Sequence, residues 1–243
     1  MVAPAVVILT GAGVSADSGV RTFRDAGGLW EGHRVEDVAT PDGWARDPAL
    51  VWRFYQQRRA QLRDVAPNAA HRALAGFAAA AQKAGVECTL VTQNVDDLHQ
   101  RAGSDVLAMH GELLRLRCEA CGVVAVDRER LDPARFASCG ACGHPRLRPH
   151  IVWFGEVPFH LDAIERALRR CTCFVAIGTS GQVWPAAGML AQARAQGAAT
   201  WVQALAAPAN LDARDHWRPG RAADVAPALL AEIARQTGVC WPS

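Results

Sequence analysis

The chain has 243 residues, half of them apolar, and a net charge of +2. That length buries one sizeable core with a small satellite. The near-neutral balance argues neither for nor against an acidic partner, and the chain has no basic run to grip nucleic acid. No stretch approaches the roughly 20 apolar residues of a membrane span. The first strand begins almost at the N-terminus with no targeting pattern before it, so the expected location is cytoplasmic. The eight cysteines are then expected to be reduced. Alanine and arginine are abundant and lysine is scarce, which reads as compositional bias.

Val6-Val7-Ile8-Leu9 predicts a buried parallel strand. Gly11-Ala12-Gly13 follows and allows a tight turn close to a ligand. A helix opening after it would aim free N–H groups at an anion such as a pyrophosphate. Gly11-x-Gly13-x-x-Ala16 fits the dinucleotide-binding pattern, but the tail Ser18-Gly19-Val20-Arg21-Thr22-Phe23-Arg24 exceeds what that pattern needs. Asp25 to Trp30 is glycine-rich, either a loop that closes over a cofactor or a plain surface loop. Thr40-Pro41-Asp42-Gly43 reads as a turn. Asp47-Pro48 reads as the cap and first residue of a helix reaching about Arg63.

On that helix Val51, Tyr55, Arg58 and Leu62 share one face. An arginine on an apolar face needs an anion or several acceptors. Either Tyr55 and Arg58 receive a ligand carboxylate, or Arg58 reaches water or an acid elsewhere and Tyr55 fills the core. Pro67-Asn68 opens an alanine-rich helix that ends near Gly85. Val86 to Thr92 predicts a second strand running into Gln93-Asn94-Val95-Asp96, amide and carboxylate groups suited to a ribose or a carboxamide. A short strand from Val106 to Met109 ends in His110-Gly111, at the same expected sheet edge as Gly11 and Asn94.

Cys118-x-x-Cys121 and Cys139-x-x-Cys142 stand seventeen residues apart. Four thiolates at that spacing close a tetrahedral shell, so the expected metal is one structural zinc. Cys88, Cys171, Cys173 and Cys240 are scattered and read as structural thiols. Arg148 to Glu156 reads as extended, either an edge that pairs with a substrate peptide or a core strand. Next come a helix from Leu161 to Arg170, a strand from Cys173 to Ile177 ending in Gly178-Thr179-Ser180, a helix through Gly197, a strand from Thr200 to Leu205, and a last helix from Asp224-Val225-Ala226-Pro227 to near Thr237. The alternation predicts an α/β fold: a Rossmann-like doubly wound parallel sheet with a smaller helical and zinc-binding module. The expected sheet domain is 1–29, 66–113 and 149–243, and the module is 30–65 and 114–148.

These motifs, in this order over nearly the whole chain, resemble the sirtuins, NAD-dependent protein deacylases, in their compact bacterial form. The resemblance implies NAD as a consumed co-substrate and acyl-lysine proteins or peptides as substrates. It implies no nucleic-acid or membrane partner, and a monomer. It assigns cofactor binding to Gly11, Ala12, Gly13, Ser15, Thr22, Phe23, Arg24, Trp30, Gln93, Asn94, Val95, Asp96, Gly178, Thr179, Ser180 and Ala222. Catalysis falls to His110, as general base with an ordinary imidazole pKa near 6.5, and to Asn94. The backbone of Val152, Trp153, Phe154 and Gly155 is expected to pair with the substrate chain.

Sirtuins that prefer succinyl- or malonyl-lysine carry a Tyr-x-x-Arg pair where this chain has Tyr55 and Arg58. The expected activity is therefore desuccinylation and demalonylation, with weaker deacetylation, releasing nicotinamide and O-acyl-ADP-ribose. One position departs from the pattern: Leu205 falls where sirtuins usually have an asparagine that reaches the adenosine ribose, with Gln203 nearby as a substitute. That departure bears on NAD affinity. Competing readings are a mono-ADP-ribosyltransferase and a non-enzymatic NAD-binding module.

Overall fold

The computed structural model describes residues 3–21, 29, 30 and 32–241. The expected cofactor residues Thr22, Phe23 and Arg24 lie outside them, as does most of the glycine-rich loop.

In chain order the elements are β1 (Ala5–Thr10), α1 (Gly13–Ala16), β2 (Leu29–Trp30), β3 (His33–Arg34), α2 (Val35–Val38), α3 (Pro41–Arg46), α4 (Pro48–Gln61), α5 (Ala69–Lys83), β4 (Glu87–Thr92), α6 (Leu98–Arg101) and β5 (Leu107–Ala108). Then follow β6 (Gly111–Cys118), β7 (Val124–Val126), β8 (Leu147–Ile151), α7 (Leu161–Arg170), β9 (Cys173–Ile177), α8 (Ala186–Ala195), β10 (Ala199–Ala204), β11 (His216–Pro219) and α9 (Ala222–Thr237). Six strands form one sheet in the order β11-β10-β9-β1-β4-β5, and every pairing in it is parallel.

β1 is buried along its whole length, and its two faces divide by alternation. Val6 and Ile8 pack with Leu74, Phe77, Leu229 and Ile233 of α5 and α9. Val7 and Leu9 pack with Ile164, Leu168, Met189 and Leu190 of α7 and α8. From β1 the chain builds outward through β4 and β5, then returns to the other side for β9, β10 and β11. The order reverses at β1, and ligands bind at such a switch point, beyond the strands' carboxyl ends.

A third cluster joins α2, α3 and α4 to β6 and β8 through Trp44, Trp52, Phe54, Tyr55, Leu116 and Trp153. β6, β7 and β8 form a small antiparallel sheet that carries the cysteines. Among the described residues no helix is long and apolar enough to cross a membrane.

Three expectations change. Thr40 to Gly43 is not a free turn: the Thr40 hydroxyl accepts from the Gly43 amide at 2.9 Å and caps α3. β6 and β11 were not anticipated; β6 had a signal, since Leu114, Leu116 and Cys118 alternate with Arg115 and Arg117. The extended segment ends at Ile151, and Val152 to Gly155 leaves the strand in a turn with Gly155 at φ +90°.

Candidate active site at the sheet switch point

β1, β4, β5 and β9 deliver their polar ends to one edge. The Gln93 amide bonds to Thr10 O at 2.9 Å, the Met109 amide to Thr92 O at 3.0 Å and the Gly11 amide to Ile177 O at 3.0 Å. Backbone hydrogen bonds thus lock the loops after four adjacent strands to one another. The Gln93 side chain donates to Thr179 Oγ1 at 3.1 Å and ties the β4 loop to the Gly178-Thr179-Ser180 loop.

The glycines are required where the loops after β1 and β9 meet. A Cβ on Gly11 would lie 2.8 Å from Gly178 O, and one on Gly13 would lie 2.8 Å from Gly178 Cα. Gly178 has φ +65° and would meet the Val14 nitrogen at 2.5 Å. These glycines interlock two protein loops. α1 is a single turn, and its leading amides are spent on Gly178 O, Gly11 O and Ala12 O. Ala12, Gly13, Thr179 and Ser180 remain partly open to solvent at this edge.

Behind that edge lies a buried polar chain. The Asn94 side chain donates to Ser15 Oγ at 3.1 Å, and Ser15 lies beside the Asp96 carboxyl and helps hold its charge. Asp96 is 6% exposed. Burial pushes its pKa up, against the hold of Ser15 and the Leu98 amide. His71 Nε2 lies 3.4 Å from Ser15 Oγ, and His71 Nδ1 accepts from the Asn68 amide at 3.3 Å. His99 stacks edge-on against His71 and bonds Thr10 Oγ1 at 3.0 Å. Burial lowers the His71 pKa to about 4 and that of His99 to about 3, so both are neutral at neutral pH.

His110 stands at the end of β5, half-buried. Its Nδ1 lies 3.0 Å from Gln93 O, a bond only an Nδ1–H can make. That fixes the tautomer and leaves Nε2 as the basic nitrogen. Burial lowers its pKa below the ordinary value, with the Gln93 carbonyl opposing. The expected unperturbed value is corrected downward.

Tyr55 and Arg58 both sit on α4, whose Asp47 cap accepts from the Leu50 amide at 2.9 Å. Tyr55 is 1% exposed, accepts from Trp153 Nε1 at 3.0 Å, and has its phenol pKa raised by burial. Arg58 is half-buried with its guanidinium 4.4 Å from the Phe54 ring centroid. Trp30, expected at the cofactor, lies edge-on to Phe54 at 4.8 Å and to Tyr55 at 6.2 Å. The Val152 amide is taken by His110 O at 2.9 Å and the Phe154 amide by Ala39 O at 2.9 Å. Trp153 is buried, with the Arg148 guanidinium over its ring, and Phe154 is exposed.

The deepest arginine of α4 is Arg59, which the spacing argument passed over. It is 1% exposed, donates to Gln56 and to the carbonyls of Asp127 and Arg130, and pairs with the Asp127 carboxylate at 3.3 Å. Trp52 Nε1 bonds Asp132 O and Arg135 O. α4 is thereby bolted to the segment between the cysteine pairs. The neighbouring arginines were a signal, but α4 is buried on several sides, so a four-three-four spacing does not single out one face.

The four cysteine Sγ atoms lie within 4.8 Å of one another. Cys118 and Cys142 are 3.6 Å apart, and Cys121 and Cys139 are 3.8 Å apart. Zn–S bonds of about 2.3 Å give tetrahedron edges of about 3.8 Å, so the thiols fit a zinc ion. The two turns match: Gly122 and Gly143 each follow the second cysteine of a pair and each has φ +74°. The Gly122 amide bonds Cys118 O, and the Gly143 amide bonds Cys139 O.

At the other end, Ala222 is buried at the start of α9, beside the Ala223 amide that Asp17 Oδ2 caps at 3.0 Å. Leu205 is 78% exposed just past β10. Gln203 is buried, and its Nε2 donates to Gly220 O at 2.7 Å. Amide, carboxyl and hydroxyl groups at this edge form a donor set suited to a carboxamide and ribose hydroxyls.

Comparison with known proteins places the chain. The Sir2 family profile matches residues 11–185. The chain is 50% identical over 240 residues to an NAD-dependent protein deacylase of Yersinia pestis, covering 97% of this chain and 84% of that one. It is 50% identical over 230 residues to an NAD-dependent protein deacylase of Caulobacter vibrioides, covering 94% and 96%. The crystal structure of a Sir2 homologue–NAD complex superposes with a TM-score of 0.84 at 36% identity, covering 96% of this chain and 90% of that one.

Proposed function

The chain belongs to the Sir2 family, and from that premise we propose that it is an NAD-dependent protein-lysine deacylase favouring succinyl- and malonyl-lysine over acetyl-lysine. The observation that carries the reading is the convergence of His110 with Gln93, Asn94, Ser15 and Asp96 on the carboxyl edge of the sheet. When bound, NAD supplies an electrophilic ribose carbon with a cationic nicotinamide leaving group. Departure of such a group calls for positioning more than for acid.

The proposed holders are Gly11, Ala12, Gly13 and Ser15 at the phosphates and near ribose. Gln93, Asn94, Val95 and Asp96 take the nicotinamide side, and Gly178, Thr179, Ser180 and Ala222 the adenosine side. Thr22, Phe23, Arg24 and Trp30 belong to this proposal by family resemblance. His110 Nε2 is the base that accepts a proton from a ribose hydroxyl, its Nδ1–H held by Gln93 O. Asn94, aimed by its bond to Ser15, is the second catalytic group. The substrate chain lies along the backbone of 152–155.

Arg58 and Tyr55 select the acyl chain. A guanidinium binds a carboxylate through two parallel N–H bonds, and a phenol hydroxyl adds a third donor. Charged hydrogen bonds worth about 1.5–3 kcal/mol give a preference of roughly tenfold to a hundredfold over acetyl. Exposed Leu205 at the adenosine side implies an NAD affinity lowered by one or two neutral hydrogen bonds, about threefold to a hundredfold.

The proposed organisation is a sheet domain of 1–29, 66–113 and 149–243, with a module of 30–65 and 114–148 whose zinc is structural. We further propose a monomer without nucleic-acid or membrane partners. We further place it in the cytoplasm, where cysteines stay reduced and those outside the zinc site remain thiols. A panel of acetyl-, malonyl- and succinyl-lysine peptides, assayed with NAD for nicotinamide release, tests the proposal. ADP-ribose transfer to protein without acyl-peptide turnover would overturn it.

A further inference from the structure

We propose that Phe54 is a specificity-determining positioning residue: its ring is the platform that holds the Arg58 guanidinium where an acyl carboxylate is received. The proposal deepens the acyl reading above and rests on it. Phe54 and Arg58 are four apart on α4, so they share a face. The guanidinium carbon is 4.4 Å from the Phe54 ring centroid, within the range of cation–π attraction. A guanidinium held over a ring by its charge still carries the planar fork of N–H donors that a carboxylate binds.

The platform is itself immobilised. Phe54 is 1% exposed and is met edge-on by Trp30 at 4.8 Å, Tyr55 at 5.2 Å and His33 at 5.5 Å. Three aromatic neighbours prevent the ring from turning away, so the cation rests on a fixed plane. An arginine gives up rotamer freedom when it clamps a carboxylate. A stack formed beforehand removes part of that loss, which is preorganisation. Phe54 needs no contact with the substrate to act in this way.

Phe54 is also a core residue, and a purely structural role predicts equal losses for every acyl chain. The test replaces it with pentafluorophenylalanine, which keeps the ring shape and inverts the quadrupole, and with Phe54→Leu and Phe54→Trp. Each variant is made in the wild-type and Arg58→Met backgrounds. The kcat/KM values for succinyl- and acetyl-lysine peptides are compared, alongside thermal unfolding.

The fluorinated ring and leucine are expected to lower the succinyl-to-acetyl ratio about twofold to thirtyfold, mainly through KM. Tryptophan restores the ratio, and in the Arg58→Met background the ratio no longer responds. If leucine prevents folding, the fluorinated ring decides alone. An unchanged ratio, or an equal fall with Arg58 absent, overturns the platform. Failure of the underlying reading looks different: Arg58→Met alone would then leave the ratio unchanged.

Discussion

The indole N–H of Trp153 donates to the Tyr55 hydroxyl oxygen at 3.0 Å, between side chains that are 2% and 1% exposed. The bond joins α4 to the segment after β8. It also sets the phenol's polarity: an oxygen that already accepts from Trp153 turns its own proton toward another acceptor. Tyr55→Phe leaves the buried Trp153 donor without its acceptor. The expected loss is about 1–3 kcal/mol of unfolding free energy in urea titration, together with a lower succinyl-to-acetyl ratio. Unchanged stability would show that the bond contributes nothing net.

Activity should persist on the acid side. His110 must be neutral to accept a proton, and burial lowers its pKa from the ordinary value. The acid limb of kcat/KM is therefore expected to turn below about pH 6.5, with a plateau through neutrality. His110→Tyr should cost about a hundredfold to ten-thousandfold. An acid limb centred above about pH 6.5 would contradict the burial argument.

Stability should fail in acid for a related reason. His71 is neutral in the fold with a pKa of about 4, against about 6.5 in an unfolded chain. On acidification the unfolded chain takes up the proton first. The contribution is fully present above about pH 6.5 and is lost as pH falls toward about 4, on the order of 3 kcal/mol. Urea titrations across that window should show the loss, and His71→Gln should lessen it by about that amount, leaving the share of the similarly buried His99. Equal slopes in both proteins would assign the acid sensitivity elsewhere.

The sheet was legible because its signals are local. Val6 to Leu9 and Cys173 to Ile177 are short apolar runs, and their strands stand where periodicity put them. Cysteine spacing likewise carries its own geometry. Side-chain partners far apart in sequence were not legible. Arg59 finds Asp127 only once β6 and β7 fold back on α4. The Gly11 and Gly13 contacts with Gly178 depend on β9 pairing with β1. The Ser15–His71 contact needs α5 to dock beside α1. A glycine pattern says that something comes close, and only tertiary structure says what.

The cysteine module should depend on its metal. With Sγ atoms this close, about one zinc per chain is expected. Chelation should expose 119–146 to proteolysis, because metal binding supplies that segment's folding energy. Cys139→Ser should lower the zinc content, with the Trp52 and Arg59 anchors of α4 loosened in turn. Full protease resistance after metal removal would show that the module folds without it.

A Sir2 deacylase whose α4 reads an acyl carboxylate must separate succinyl from acetyl chains. The most direct measurement is NAD-dependent turnover of matched succinyl- and acetyl-lysine peptides by wild type and by Arg58→Met. Succinyl turnover is expected to lead by roughly tenfold to a hundredfold in the wild type, and acetyl turnover to lead in Arg58→Met. Succinyl turnover that survives Arg58→Met intact would contradict that reading.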